Sequence, residues 1–263
     1  MKYAAALTTL LGLAAAAPRS TIVQTSGLEL HQRTPAERIA LGSRTRHSTR
    51  RPAVGDQSNG AAIRYSDNWA GAIKHSKNIT RVAGTSAVPN VTGGPSQSGG
   101  SSWVGIDGDS CQRAILQTGI DFYVDGTFDA WWEWIPDNTM YFDQPFPLKT
   151  GQRIAMEVDA SSPKEGIAKL TNLDTGVTVS HTFTKDKTPS ALCETDAEWI
   201  MEDFLGNLAD FGTVTFTDNS ASDASGNKFT PAGGDLIEIK DREGNPKTDC
   251  SINGDDVSCT YVQ

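Results

Sequence analysis

From Tyr65 onward, short segments rich in β-branched and aromatic residues alternate with clusters of Gly, Asn, Asp, Ser and Pro. Short segments bounded by turn residues are typical of β-strands, and none keeps the helical period of about 3.6 residues. The pattern predicts an all-β domain of about 200 residues, folded as a large antiparallel sandwich. The predicted strands cover residues 68–73, 103–106, 114–124, 130–135, 153–158, 177–183, 213–216 and 235–239.

Between these strands, residues 90–102 are dense in Gly and Ser, which favours a flexible surface loop. The Asn-x-Thr sequons that begin at Asn78 and Asn90 could carry glycans on such loops in an exported protein. Because many sequons stay unused, the sequence leaves glycosylation of both asparagines open.

Residues 1–17 combine a charged start, an apolar stretch and a run of small residues that ends at Ala17. This arrangement is typical of a secretory signal peptide and predicts cleavage near Ala17. The segment is too short to span a membrane, which takes about 20 apolar residues, and no later segment approaches that length. We therefore expect a secreted, extracellular protein without a membrane partner.

Residues 18–64 are rich in Arg, Ser and Thr and follow neither a helical nor a strand period. Eight arginines stand against three acidic residues there, whereas the whole chain has a net charge of −9. The basic segment predicts a propeptide over residues 18–51, which ends at Arg50-Arg51 or as late as about residue 64, before a main domain at residues 52–263. A disordered tail without a role in activation is the alternative.

The main domain is strongly acidic, which argues against nucleic acid as a partner. An acidic surface suits a protein that works at low pH, although solubility after secretion would explain it as well. The sequence has no motif for a metal or an organic cofactor, and we expect neither. We also expect a monomer.

Four cysteines lie in the main domain: Cys111, Cys193, Cys250 and Cys259. An even number in an exported chain predicts two disulfides. Cys250 and Cys259 flank the turn signal Asn253-Gly254 and are expected to close a local hairpin, which leaves Cys111 to pair with Cys193. Zinc binding is the competing interpretation, but neither a CxxC spacing nor a nearby histidine pair supports it.

The motifs that the chain lacks disfavour several hydrolase chemistries. Only His75 and His181 of the four histidines lie outside the predicted propeptide, and neither HExxH nor GxSxG is present. Asp174-Thr175-Gly176 matches the signature of aspartic proteases, but those enzymes need two such aspartates and the sequence has one copy. We interpret it as a β-turn between Leu170 and Val177. Carboxylate or amide chemistry remains.

Polar and bulky side chains alternate on one face of four predicted strands, because residues two or four apart point to the same side. The pairs that share a face are Trp103 with Asp107, Gln117 with Asp121, Trp131 with Glu133, and Glu198 with Glu202. Gly119 leaves room between Gln117 and Asp121. Together with the tryptophans at 131, 132 and 134, the alternation predicts a groove lined by carboxylates, an amide and aromatic rings.

These residues belong to motifs that resemble, in order and spacing, those of the eqolisin family of glutamic peptidases. The motifs are Asn68-Trp69-Ala70-Gly71-Ala72, Trp103-Val104-Gly105-Ile106-Asp107-Gly108-Asp109, Ala114-Ile115-Leu116-Gln117-Thr118-Gly119, Trp131-Trp132-Glu133-Trp134 and Ile200-Met201-Glu202-Asp203-Phe204. The resemblance runs from about Tyr65 to Val262 and includes both cysteine pairs. Ala70, where the family usually has glycine, and Ile135, where it often has tyrosine, depart from the pattern.

The resemblance implies a lectin-like jelly-roll sandwich of two large antiparallel sheets, whose concave face holds a catalytic dyad. The family's glutamine and glutamate correspond to Gln117 and Glu202. The positions that support the dyad or contact substrate are, by the same resemblance, Trp103, Asp107, Asp121, Glu133, Trp69 and Trp131. The implied activity is that of a secreted acid endopeptidase, insensitive to pepsin-type inhibitors, which acts on polypeptides and is inhibited by its own propeptide.

The residue types suit that chemistry. Glu202 can take a proton from water as general base and later return it to the leaving amine as general acid. Gln117 can hold the water through its carbonyl oxygen, and its NH2 can donate to the oxyanion as the tetrahedral intermediate forms. We expect Asp107 and Asp121 to orient Gln117 and to tune Glu202 by hydrogen bonding. Because Gln does not titrate, such a site can operate in acid.

Two alternatives remain open. A carbohydrate-binding module of the same architecture would explain the aromatic groove but not the propeptide. A glycoside hydrolase with two carboxylates, such as Glu133 and Glu202, would explain the acids and the tryptophans. Fold alone cannot decide among the three.

Overall fold

The computed structural model describes residues 57–58 and 61–263, with side chains considered from Ile63 onward. The predicted signal peptide and the predicted propeptide over residues 18–51 lie outside the described residues and stay predictions. The described part is built of β-strands joined by turns and contains no helix. It therefore holds no helix long and apolar enough to cross a membrane.

One sheet has nine strands in the order β1-β2-β15-β3-β12-β5-β6-β7-β8. Its β2–β15 pairing is parallel and its other pairings are antiparallel. In chain order its strands are β1 Gln57–Ser58, β2 Ala61–Ser66, β3 Trp69–His75, β5 Gly99–Ile106, β6 Ile115–Tyr123, β7 Phe128–Ile135, β8 Met140–Tyr141, β12 Asp196–Glu202 and β15 Asp235–Ile239.

The other sheet has eight antiparallel strands in the order β11-β10-β9-β4-β13-β17-β16, with β14 paired to β13 beside that path. In chain order its strands are β4 Ile79–Ala87, β9 Arg153–Ser162, β10 Glu165–Asn172, β11 Thr178–Phe183, β13 Thr213–Asp223, β14 Lys228–Phe229, β16 Thr248–Asn253 and β17 Asp256–Tyr261.

The two sheets pack against each other through one large apolar core. In β10, for example, buried residues alternate with more exposed ones, so one face meets the core and the other meets solvent. Trp199 of β12 crosses the interface and donates from its indole Nε1 to the carbonyl of Ala83 in β4 at 2.9 Å. The all-β sandwich predicted from the sequence is confirmed.

The central strands of the nine-stranded sheet are buried on both faces, which distinguishes them from the strands of the other sheet. Every residue of β5, β6 and β12 is buried. The face turned away from the main core carries its own apolar cluster, which includes Trp103, Trp131 and Ile200. Polar side chains on this face must therefore find partners without the help of bulk water.

Each of the eight predicted strand segments falls on a strand of the structure, although three of them, 68–73, 114–124 and 177–183, extend one residue beyond it at one or both ends. The prediction of a flexible loop over residues 90–102 is wrong at its end, because Gly99 to Ser102 belong to the buried strand β5. A side chain would not fit at Gly100, where a Cβ would lie 2.6 Å from the Phe122 ring. The small residues that suggested flexibility instead allow close packing between β5 and its neighbours.

Both predicted disulfides are present. Cys111 pairs with Cys193 across 82 residues, and Cys250 pairs with Cys259 across 9 residues within the β16–β17 hairpin. The described residues contain no free cysteine. The longer bridge ties the loop after β5 to the segment that leads into β12.

Asp174-Thr175-Gly176 lies in the turn between β10 and β11, as predicted. The Asp174 carboxylate accepts from the Arg153 backbone N–H at 2.6 Å and pairs with the Arg153 guanidinium at 2.8 Å. These bonds hold the pKa of Asp174 below its ordinary value. The motif therefore has a structural role on the eight-stranded sheet, away from the polar face of the other sheet.

The two disulfides should contribute unequally to stability. In the chain-entropy model a bridge across 82 residues stabilises by about 4.5 kcal/mol and one across 9 residues by about 2.5 kcal/mol. We expect the double variant Cys111→Ala/Cys193→Ala to lose more unfolding free energy in urea than Cys250→Ala/Cys259→Ala. Equal losses would mean that loop closure does not dominate the contribution of the long bridge.

Candidate active site

Strand register brings the predicted site residues onto one face of the nine-stranded sheet, in three parallel rows. The Glu202 row contains Trp69, Glu202, Ser101, Asp121 and Asp129. The Trp103 row contains Gly71, Ile200, Trp103, Gly119 and Trp131. The Gln117 row contains Ile73, Glu198, Gly105, Gln117 and Glu133. Residues directly opposite each other point to the same side, so each row is a line of neighbouring side chains.

Glu202 is held by two donors from neighbouring strands or turns. Trp103 Nε1 donates to Glu202 Oε2 at 2.8 Å, and Asn68 Nδ2 donates to Oε1 at 3.4 Å. The side chain is buried, yet it borders a cavity of about 620 Å³. A carboxylate with two fixed donors and access to a cavity can bind and deprotonate a water molecule there.

The cavity lies between the end of β12 and the loops that follow β12 and β15. Its lining includes Asn68, Glu202, Asp203, Lys240, Lys247 and Tyr261. Both acidic and basic groups therefore face the space next to Glu202. A peptide chain could reach the carboxylate from this side.

Gln117 is anchored to Glu133 on the adjacent strand. Gln117 Nε2 donates to Glu133 Oε2 in a short hydrogen bond, and Thr139 Oγ1 donates to Glu133 Oε1 at 2.6 Å. The amide is buried, and its Oε1 has no hydrogen-bond partner among the described residues. Glu133 therefore fixes which way the Gln117 amide faces.

Trp103 lies in the row between those of Gln117 and Glu202, and its indole donates to Glu202. Gly119, opposite Trp103 on β6, allows this close approach of the two strands, because a Cβ there would collide with the Ser102 carbonyl oxygen and lie 2.6 Å from the Trp103 Cβ. Trp69 packs edge-on against Trp103 with ring centroids 5.0 Å apart. Trp131 donates to Ser101 Oγ at 3.2 Å. The three tryptophans give the face a rigid aromatic base.

Asp121 lies in the Glu202 row, where Ser101 stands between the two acids. Its Oδ2 accepts from the Tyr123 hydroxyl at 3.4 Å. The structure thus places Asp121 on the predicted face. Its role in tuning Glu202 stays a prediction.

Asp107 has a different environment from the one expected. Its buried carboxylate accepts from four consecutive backbone N–H groups, Cys193 to Asp196, at 2.6 to 3.3 Å. Its hydrogen bonds include none with Gln117 or Glu202, so the expectation that Asp107 orients Gln117 directly is not met. Asp107 lies past the end of β5 with a positive φ of 68°, where the chain turns towards the start of β12.

Glu198 is not one of the predicted site residues, although it shares a face with Glu202. It is completely buried in the Gln117 row, and neither carboxyl oxygen has a hydrogen-bond partner in the part of the chain that the structure describes. Burial, followed by the nearby Asp196 and Asp107 carboxylates, raises the pKa of Glu198 well above its ordinary value. The alternation of strand β12 pointed to this residue, but sequence cannot reveal that a carboxyl group is unpartnered.

A cluster of charged side chains lies beyond Glu198, at the start of β12. His75 Nδ1 lies 2.9 Å from Asp196 Oδ1, and its Nε2 lies 3.3 Å from Asp109 and 3.5 Å from Asp235. Arg64 pairs with Asp109 and Asp235. The hydrogen bond to Asp196 raises the pKa of His75 and lowers that of Asp196, although burial opposes both shifts.

Among the described residues, the one group with potential metal ligands close enough together is Asp107, Cys111 and Cys193. The two cysteines form a disulfide and Asp107 is bonded to backbone N–H groups, so this group does not suit a metal ion. The polar face instead offers a carboxylate next to a cavity and an oriented amide. That combination can activate water and stabilise an oxyanion.

Comparison with solved structures defines the class of protein. The fold is similar to the crystal structure of scytalido-glutamic peptidase with a transition state analog inhibitor, with a TM-score of 0.69 and 39% sequence identity. The match covers 74% of this chain and 98% of that chain. The fold is therefore the fold of a known peptidase.

Sequence comparison gives the same class. The chain is 41% identical to aspergillopepsin-2 of Aspergillus niger over 225 residues, which cover 75% of this chain and 78% of that protein. It is 39% identical to scytalidopepsin B of Scytalidium lignicola over 216 residues, which cover 78% and 82%. A model of the Peptidase A4 family matches residues 67–261. The chain belongs to the Peptidase A4 family, the eqolisins.

Asp107 should support the site through the backbone rather than through Gln117. Asp107→Asn replaces an accepting oxygen with an NH2 that faces N–H donors, which should cost about 3 kcal/mol of unfolding free energy. We expect the kcat of the folded variant to stay within about 3-fold of wild type, since binding and activation involve other groups. Urea unfolding and steady-state kinetics measure both quantities.

The exposed Asp186→Asn is the control for Asp107→Asn, and it should change neither stability nor kcat. A fall in kcat of roughly 100-fold or more in Asp107→Asn, with stability retained, would show that Asp107 acts on the reacting groups after all.

His75 should make stability depend on pH. Because its pKa in the fold is raised above 6.5, its stabilising contribution is complete below the unfolded value and is lost as pH rises through the folded value. We expect the unfolding free energy to fall as pH rises above about 6.5, the ordinary pKa of histidine, and His75→Asn to flatten that fall. Urea unfolding at several pH values measures this pH dependence of the unfolding free energy.

His181 provides a control of opposite sign. Burial lowers the pKa of His181, which stacks on Trp132, so its neutral form is favoured in the fold. The stabilising contribution of His181 should be lost as pH falls below the ordinary pKa of histidine. His181→Asn should therefore leave the fall in unfolding free energy at higher pH unchanged. If His75→Asn and His181→Asn give identical profiles, the Asp196–His75 pair is not the source.

Proposed function

We propose that this protein is a secreted acid endopeptidase that hydrolyses peptide bonds in polypeptides with Glu202 and Gln117. The observation that carries the proposal is the Glu202 carboxylate, which two donors hold at the edge of the cavity and which lies on the same face of the sheet as Gln117. Membership of a peptidase family and similarity to a structure that holds a transition state analog inhibitor support it.

In the proposed mechanism Glu202 acts first as general base and then as general acid. It takes a proton from a water molecule in the cavity while the water oxygen attacks the carbonyl carbon of the peptide bond. The same carboxyl then gives that proton to the amide nitrogen as the C–N bond breaks. The donors Trp103 and Asn68 hold the carboxylate in place beside the cavity.

Gln117 stabilises the oxyanion in this mechanism. One hydrogen of its NH2 is committed to Glu133, and the other remains available for the carbonyl oxygen of the substrate. Because the amide is buried and already oriented, it needs no reorganisation as negative charge develops. An amide also keeps its donor at every pH, which suits acid.

The support for the alternatives is weaker. A glycoside hydrolase that paired Glu133 with Glu202 would need Glu133 free to attack or to transfer a proton. Glu133 instead accepts hydrogen bonds from Gln117 and Thr139. Secretion, maturation from a propeptide that inhibits the enzyme, and a monomeric state belong to the proposal as well.

The decisive experiment measures hydrolysis of a denatured protein against pH. We expect activity in acid that survives a pepsin-type inhibitor, since the mechanism needs no pair of aspartates that share a proton. Gln117→Ala should lower kcat by about 10²- to 10³-fold. Glu202→Gln should lower it by about 10²- to 10⁴-fold.

Glu165→Gln, on the eight-stranded sheet, is the matched control and should retain wild-type activity. Activity that persists in Glu202→Gln would place the catalytic carboxylate elsewhere. Hydrolysis of polysaccharide without hydrolysis of protein would favour the glycosidase.

A further inference from the structure

Glu198 and Gln117 face each other across a glycine. They lie in one row on β12 and β6, and Gly105 of β5 stands between them without a side chain. A Cβ at Gly105 would lie 3.4 Å from the Gln117 Cβ and 2.9 Å from the Trp103 ring. The missing side chain leaves room for the edge of the Trp103 ring, and the Glu198 carboxyl and the Gln117 amide make no direct hydrogen bond in the structure.

Both groups are buried and carry polar atoms that make no hydrogen bond to the described residues. These atoms are Gln117 Oε1 and both carboxyl oxygens of Glu198, and the two side chains are 1% and 0% exposed. Buried polar atoms are paired in folded proteins, directly or through an enclosed water. Gln117 Nε2 is turned towards Glu133 on β7, so its Oε1 is directed towards β5 and β12, the side on which Glu198 lies.

The protonation state of Glu198 decides whether its carboxyl group can donate a hydrogen bond towards the Gln117 amide. A carboxylate facing a carbonyl oxygen would repel it, whereas a neutral carboxylic acid has an O–H that the carbonyl accepts. Burial raises the pKa of Glu198, as do the charges of Asp196, Asp107 and Glu202, while Arg64 opposes them. Glu198 is therefore a neutral acid in the pH range of the proposed activity.

We propose that Glu198 is a positioning residue whose carboxylic O–H hydrogen bonds to Gln117 Oε1 through one enclosed water across Gly105. Together with Glu133 on the other side, it fixes the amide so that the remaining N–H points to the substrate carbonyl. A flipped amide would present its oxygen to the developing oxyanion. The inference rests on the proposed function, in which Gln117 is the oxyanion donor.

Two variants of nearly equal size test the hydrogen bond. Glu198→Gln retains a donor that does not titrate, so we expect kcat within about 3-fold of wild type. Glu198→Leu removes the donor, and we expect kcat to fall about 10- to 100-fold with KM nearly unchanged, because the lost interaction acts in the transition state. Circular dichroism and urea unfolding confirm that each variant is folded before kinetics are measured.

Equal kcat values in Glu198→Leu and Glu198→Gln would overturn the positioning role. Loss of activity in Glu198→Gln would overturn it too, because a titrating carboxylate would then be required. The Glu198→Leu change should also cost little in a Gln117→Ala background, since the amide that it positions is gone.

Infrared spectroscopy tests the protonated state without any assay of activity. We expect the carbonyl band of a buried protonated carboxylic acid in wild type from acid to neutral pH, and its loss in Glu198→Gln. No such difference would overturn the inference even if Glu198→Leu fails to fold. Wild-type activity in Gln117→Ala would instead overturn the proposed function. If Gln117→Ala is inactive while Glu198→Leu is fully active, only the positioning role of Glu198 is overturned.

Discussion

The structure depends on the burial of polar groups in the nine-stranded sheet. One face of this sheet packs on the main core, and the polar groups are buried on the opposite face. Strands β5, β6 and β12 are buried throughout, so each carboxyl or amide on the polar face must take its hydrogen bonds from neighbouring strands. The bond from Trp103 to Glu202 and the bond from Gln117 to Glu133 meet this requirement. The same bonds hold the two proposed reacting groups in place, so stability and preorganisation have one origin.

Two glutamates of strand β12 have different environments under this constraint. Glu202, at the end of β12, receives donors and borders the cavity, whereas Glu198, four residues earlier, is fully buried and has no donor among the described residues. Burial and neighbouring charges raise the pKa of Glu198 well above its ordinary value. Two carboxyl groups of the same type thus lie in different environments on a single face.

The sequence predicted much of this arrangement. Alternation along strands predicted the sandwich and the shared face of Gln117, Glu133 and Glu202, because side-chain parity is a local property. It could not predict that Gly99 to Ser102 form a buried strand, because their small side chains resemble those of a loop until the packing against Phe122 is known. The partners of Asp107 were also hidden, since they are backbone groups more than 80 residues away.

Asp107 nevertheless governs the site at a distance. Its carboxylate gathers the N–H groups of residues 193–196, and the Cys111–Cys193 bridge holds the same segment from the other side. This segment leads directly into β12, whose register against β5 decides which side chains reach the polar face. A slip of one residue would turn Glu198 and Glu202 into the core. Asp107 therefore serves the proposed chemistry by setting the strand on which both glutamates are carried.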